Sequence, residues 1–160
     1  MNVDAIRRRF EPAVRRVLHT YWRFARGLTM GARAAVFDRD GKVFLVKHSY
    51  VPGWHLPGGG VEPGETILAA LARELREEGN IELVEPPTLF AVYLNRRVSR
   101  RDHIALYVVH SFRQSAPPRP DFEIVAHGFF APDALPAETT RASRERLAEV
   151  LAGRAAAEIW

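Results

Sequence analysis

The chain has 160 residues, 47% of them hydrophobic and 26% charged, a balance that suits one domain with a real core and gives no sign of disorder. It contains no cysteine, which excludes disulfides and thiolate metal sites, and apolar runs such as "IALYVV" are far too short to span a bilayer. The net charge of +4 is uneven: residues 1–30 carry seven arginines against Asp4 and Glu11, an excess of five, which leaves the other 130 residues near −1.

Residues 3–28 show helical periodicity, with Ile6, Phe10, Val14, Val17, Tyr21, Phe24 and Leu28 at three- and four-residue steps and arginines between them. Pro12 predicts a kink, or a helix start just before it. The stretch lacks the apolar region of a secretory signal and carries two acids, so a soluble cytoplasmic protein is expected. The first expectation for this segment is packing on its own domain or a homodimer contact. Contact with an anionic membrane surface through residues 1–28 comes second, since arginines flank Tyr21, Trp22 and Phe24. Nucleic-acid binding comes last.

"ARAAVF" and "KVFLVKH" read as the two strands of a hairpin around "DRDG". "SYVPGWHLPGGGVEPGE" is a loop rich in Pro and Gly, and "TILAALARELREE" is a helix of good formers. "IELVEPPTLFAVYLN" and "HIALYVVHSFR" read as strands joined by "RRVSRRD". A Pro-rich loop, "QSAPPRPDF", leads to another strand, "EIVAHGFFA". After the turn "PDALP", residues 138–157 form a closing helix with Leu147, Val150 and Leu151 inward. These elements predict a mixed α/β or α+β sandwich without internal repeats.

On a helical wheel Glu74, Glu77 and Glu78 share one sector, at i, i+3 and i+4. The neighbouring sector of Leu68, Leu71 and Leu75 should face the sheet, and Arg76 should face water. Like charges at this spacing repel unless a cation lies between them, and clustered carboxylate oxygens suit a hard cation such as Mg²⁺ or Mn²⁺. Taken alone, "RELREE" reads as a solvated, salt-bridged face in which Arg73 pairs with Glu77. The upstream "LPGGGVEPGE" changes that reading, because a glycine loop and Glu65 run straight into the acidic face.

Gly59, five residues, Glu65, seven residues, Arg73-Glu74-Leu75, one residue, then Glu77-Glu78: this spacing resembles the Nudix box, here spanning residues 59–81. Asn80 stands where the pattern has glycine, a mild departure because Asn is the best substitute for Gly at positive φ. The resemblance implies a Nudix-type α/β/α sandwich with a mixed sheet over residues 31–160. Residues 1–30 are then an N-terminal extension, a basic amphipathic helix outside the resemblance.

The resemblance also implies hydrolysis of a nucleoside diphosphate linked to another moiety, with Mg²⁺ or Mn²⁺ required. Glu74, Glu77 and Glu78 would hold the metal, and one of them or a later carboxylate would be the general base. Glu65 and Arg73 become a supporting ion pair, while Gly58, Gly59 and Gly60 let the loop turn tightly and place the helix. Asp121 and Glu123 are candidates for the later acid, with Glu123 preferred. Trp54 is a base-stacking candidate or a loop anchor, and Arg33 and Lys47 could meet the diphosphate. His48, His55 and His103 could touch phosphate or base, although scattered histidines are more often polar or core residues; His110 and His127 read as packing residues.

The substrate stays open among nucleoside triphosphates, damaged nucleotides and nucleotide sugars including ADP-ribose. Arg97 occupies the position past the box where two family subgroups resemble one another in a proline or a tyrosine. Two other classes stand beside the enzyme: a catalytically silent Nudix-fold binding or regulatory protein, and an adaptor acting through its basic N-terminal helix.

Overall fold

Residues 31–36 and 43–46 are apolar almost without alternation, the pattern of strands covered on both faces. The computed structural model describes residues 17, 18, 20–22, 24–118 and 122–160; Ile6, Phe10, Val14 and Asp121 lie outside the described residues. Nine strands follow in chain order: β1 (Thr29–Val36), β2 (Val43–His48), β3 (Trp54–His55), β4 (Gly58–Gly60), β5 (Ile81–Leu83), β6 (Thr88–Leu94), β7 (Asp102–Val109), β8 (Phe112–Gln114) and β9 (Ile124–Phe130). A central helix (Ile67–Gly79) separates β4 from β5, and a C-terminal helix (Arg141–Ala152) closes the fold.

The expected hairpin exists only at its base. Asp38 closes the turn by accepting the amides of Asp40 and Lys42, and Phe37 bridges Val43. Beyond that point the strands part. β1 enters a four-stranded sheet of order β4-β1-β7-β6, parallel to β7 and antiparallel to β4. β2 enters a three-stranded antiparallel sheet of order β3-β2-β9. The two long apolar stretches are likewise each divided. Pro86 and Pro87, which cannot donate to a ladder, stand between β5 and β6, and the chain breaks at His110-Ser111 between β7 and β8. β5 and β8 pair with each other in a small sheet of their own.

Alternate residues of β2 then serve different cores. Phe44 and Val46 pack with Leu71 and Leu75 of the central helix, whereas Val43 and Leu45 pack with Leu56, Leu106 and Leu147, the last from the C-terminal helix. The sheets therefore lie between two helices, an α/β/α sandwich. Two inward positions are corrected. Leu68 is 40% exposed and Leu151 is 53% exposed; Ala70 is buried and Ile67 packs on the core instead.

The central helix is capped at both ends. Thr66 Oγ1 accepts the Ala69 amide at 3.1 Å. Asn80 adopts φ 50° and ψ 36°, the one non-glycine position with positive φ among the described residues. Its amide bonds back to the Arg76 and Leu75 carbonyls, and its Nδ2 donates to Ala116 O at 2.9 Å. Gly79 cannot take a side chain cheaply, since a Cβ would lie 2.9 Å from Ile81 Cδ1 and 3.0 Å from Phe44 Cε1. Asn80 thus fills the glycine position of the box by its left-handed conformation.

The described residues between 17 and 25 are helical. Their apolar side is not packed on the domain: Val17, Tyr21 and Phe24 are 68%, 64% and 78% exposed. No described helix is long and apolar enough to cross a membrane.

An Asn80→Ala variant loses both the tolerance of αL and the bond to Ala116, and should be destabilised by about 1–2 kcal/mol. Asn80→Gly should lose less. Urea unfolding at constant m-value measures both, and an Ala variant as stable as the parent would contradict the capping role.

Candidate active site

Three glycines bring the loop against the helix. β4 pairs with β1 in the register Gly58↔Arg33, Gly59↔Ala32 and Gly60↔Gly31. Gly58 has φ 130°, and a Cβ there would lie 2.0 Å from Ala32 O. At Gly59 a Cβ would come within 2.5–2.8 Å of the Glu74 carboxylate. Glycine is needed at the first position, where backbone meets backbone; at the second, a side chain would displace the Glu74 carboxylate.

Arg73 is the brace that the sequence implies. Its Nε and Nη2 hold the two oxygens of Glu65, both at 3.1 Å, in the bidentate arrangement that favours arginine. Nη2 also donates to Gly60 O at 3.1 Å, tying helix to loop. Nη1 reaches Glu74 at 2.6 Å and Glu77 at 3.3 Å, so it stands between two of the three clustered carboxylates. Its hydrogen bond holds the Glu65 carboxyl below the usual range.

Glu78 faces inward, and its residue is only 4% exposed. Its Oε2 accepts the Gly58 amide at 2.6 Å, and its Oε1 lies 3.3 Å from His48 Nε2. Burial pushes the carboxyl up to about 7, against the opposing pull of Arg33 and the Gly58 amide; the charges of Glu74 and Glu123 push the same way as burial. His48 is also buried, and burial together with the charges of Arg33 and His55 holds it below its ordinary value. Glu77, by contrast, has a side chain 60% exposed.

Glu123, at the start of β9, is drawn to the same place. Ser49, just past β2, donates its amide to Glu123 O at 2.9 Å, and Tyr50 donates its hydroxyl to Glu123 Oε1 at 2.6 Å. That hydrogen bond, with burial, pushes the Tyr50 hydroxyl up to about 12. The His48 ring lies 5.3 Å from Tyr50 and 5.8 Å from His55, so these three side chains form one wall beside Glu78.

The remaining candidates separate cleanly. Arg33 belongs to the cluster: its Nη1 donates to Leu56 O at 2.8 Å, and its charge acts on Glu78, His48 and His55. Lys47 instead pairs with Glu138. Trp54 packs edge-on against Phe130, 4.9 Å between centroids, within the second core, which is its loop-anchor role. His110 stacks on Phe37 and His127 on Phe44, as packing residues do.

His48 joins the cluster and Lys47 does not, and Tyr50 is a member that the sequence does not mark. The signal for His48 was in the strand period: it follows Phe44 and Val46, which face the central helix, while Lys47 follows Val43 and Leu45 on the other face. Nothing local marks Tyr50, because its partner is 73 residues away.

The donor set suits a hard divalent cation in kind. It offers carboxylate oxygens only, one of them on a buried group whose charge Arg33 offsets only in part. Among the described residues no three carboxylates or imidazoles converge to chelating distance, since Arg73 engages Glu74 and Glu77 while Glu78 turns to Gly58. Beside the glycine loop lies a cavity of about 620 Å³ lined by Arg33, Gly59, Gly60, Asn95, Asp102 and Ile104, among others. Asp102 is held there by Thr29 Oγ1 at 2.6 Å and Asn95 Nδ2 at 2.8 Å.

Known proteins share this fold. The NUDIX domain family model matches residues 27–151. A MutT NUDIX hydrolase from Burkholderia pseudomallei superposes with a TM-score of 0.65 at 35% identity, covering 76% of this chain and 97% of that one. An RNA pyrophosphohydrolase of Gluconobacter oxydans (strain 621H) is 46% identical over 46 residues, 28% of this chain and 27% of the relative. A CTP pyrophosphohydrolase of Escherichia coli (strain K12) is 49% identical over 53 residues, 31% of this chain and 39% of the relative. The chain thus spans about a third of the length of the curated relatives it matches. The family match reaches from β1 into the C-terminal helix and encloses the glycine loop, the Arg73 brace and the glutamate face, so the chain belongs to the NUDIX domain family.

Proposed function

We propose that the chain is a divalent-metal-dependent hydrolase that cleaves a diphosphate bond in a nucleoside diphosphate derivative. The observation that carries this reading is Glu78, a buried carboxylate pinned to the Gly58 amide beside Glu74 and the Arg73–Glu65 brace. A structural role alone would favour an uncharged residue there, because burying an unpaired carboxylate is costly. Glu74, Glu77 and Glu78 are the residues that would hold Mg²⁺ or Mn²⁺. When bound, such an ion neutralises phosphoryl oxygens and lowers the pKa of water.

The other roles belong to the chain. Arg33 offers a guanidinium at the cavity wall where an anionic diphosphate would lie. Glu123, aimed by Tyr50, is the carboxylate placed to take a proton from water. The cavity volume suits a nucleotide-sized ligand. The names of two relatives, an RNA pyrophosphohydrolase and a CTP pyrophosphohydrolase, support a nucleotide as the organic part. Retention of Glu74, Glu77 and Glu78 together favours catalysis over a silent binding protein.

A panel of nucleoside triphosphates, oxidised nucleotides and nucleotide sugars with Mg²⁺ or Mn²⁺, read by product identity, tests the activity. Glu77→Gln with Glu78→Gln should abolish turnover, and failure of the parent to cleave any phosphate anhydride would end the enzymatic reading. Tyr50 acts through Glu123, so Tyr50→Phe should lower kcat by about tenfold with KM little changed. In a Glu123→Gln background the same change should cost almost nothing further. Additive losses would instead give Tyr50 a role of its own.

Burial of Glu78 also sets a pH dependence. The unfolded carboxyl releases its proton near 4.5 and the folded one near 7, so the fold retains the proton between those values. Stability from this group is therefore full below about 4.5 and falls by about 3 kcal/mol as pH rises through 7. With metal chelated, Glu78→Gln should be the more stable protein above pH 7 by up to about 3 kcal/mol, and the gain should vanish at low pH. Urea titrations across that range check it; a pH-independent difference would mean that the carboxylate is not what changes.

A further inference from the structure

We propose that the face formed by Val17, Tyr21, Phe24 and Leu28 together with the loop 96–101 docks on an anionic lipid surface. Val17, Tyr21 and Phe24 are spaced four and three apart, which puts them on one helical stripe, and Leu28 follows just past the helix end. They are 68%, 64%, 78% and 64% exposed, so the described part of the domain does not cover them. An apolar stripe of this length on a water-facing helix points to a missing partner.

A second feature lies against it. The loop 96–101 reads Arg-Arg-Val-Ser-Arg-Arg; all four arginines are exposed, and Val98 at its tip is 74% exposed. The loop is fastened to the helix end: Arg101 Nη1 donates to Phe24 O at 3.1 Å, and the Thr29 amide donates to Arg101 O at 3.0 Å. Apolar side chains and guanidiniums are thus presented together by two segments far apart in sequence.

Charge selects the occupant. Exposed Arg26 and the four loop arginines place five positive charges on this face. A second copy of the chain would bring two such clusters together, and like charges oppose that contact. A nucleic acid would satisfy the arginines but leave aliphatic Val17 and Leu28 without a role. The headgroup region of an anionic bilayer satisfies both, taking aromatic and aliphatic side chains into the acyl boundary while lipid phosphates pair with arginine. The contact is peripheral, because no described helix can cross the bilayer. Leu28 and Val98 also border the cavity beside Gly59 and Gly60, so docking brings the cavity rim to the lipid surface.

The test is co-sedimentation of the full chain with phosphatidylcholine vesicles containing about a third phosphatidylglycerol, against pure phosphatidylcholine. Binding to the anionic vesicles alone is expected, weakening by about tenfold or more between low and high salt. Tyr21→Glu with Phe24→Glu should reduce binding by at least about tenfold. Arg96→Glu with Arg100→Glu should do the same through charge. Both pairs are exposed, and circular dichroism and the thermal midpoint should match the parent. No binding of the parent at low salt, or full binding by the Tyr21/Phe24 variant, overturns the proposal. So does a dimer in sedimentation equilibrium that this variant dissociates, which would give the face to a second copy. Equally decisive would be tight binding of a single-stranded RNA oligonucleotide that the variant abolishes.

Discussion

A carboxylate buried against a backbone amide is the constraint around which this fold is arranged. Glu78 can be buried only if something donates to it, and the donor is the Gly58 N–H at 2.6 Å. Gly58 can stand there only by lying against β1, where a Cβ would collide with Ala32 O. The requirement therefore passes from a side chain to a glycine, and from the glycine to the β1–β4 register. Arg33 belongs to the same chain of causes: it is the Cα partner of Gly58, and its guanidinium partly offsets the charge that burial makes costly.

β2 relates this site to the rest of the molecule. One face of the strand ends in His48, in contact with Glu78; the other ends in Lys47, paired with Glu138. The first face shares a core with the central helix and the second with the C-terminal helix. The bend that follows delivers Ser49 and Tyr50 to Glu123, so one strand fixes both the inner carboxylate and the outer one. Rigid positioning of this kind, by packed strands and not by loops alone, suits a site in which small displacements are expensive.

What the sequence revealed was what depends on near neighbours. The central helix, its αL cap at Asn80, the Arg73–Glu65 pair and the acidic face all follow from spacings of less than a dozen residues. The partition of strands between sheets does not. "DRDG" is a sound turn, and β1 and β2 begin as a hairpin there, but their long-range partners, β7 for one and β9 for the other, pull them apart. Lys47, paired with Glu138, and Trp54, packed on Phe130, turn away from the cluster for the same reason. Their position near the glycine loop in sequence says nothing about which face of a sheet they share with it. Glu123 was legible only as a carboxylate in about the right place; the hydroxyl that aims it is invisible without the fold.

The charge balance of the site has a consequence for what it holds. Glu65, Glu74, Glu77, Glu78 and Glu123 meet two guanidiniums, those of Arg33 and Arg73. Arg73 is already committed to Glu65 by both oxygens and to the Gly60 carbonyl, so only its Nη1 is left for Glu74 and Glu77. Glu78 receives no guanidinium hydrogen bond and responds by holding its proton to about 7. A site built only for stability would not leave carboxylates in excess at a buried helix edge. The excess is what a divalent cation would neutralise, and Arg73 fixes the loop against the helix that carries those carboxylates. Arg73 is thus a structural clamp whose second duty is to keep Glu74 and Glu77 from repelling one another.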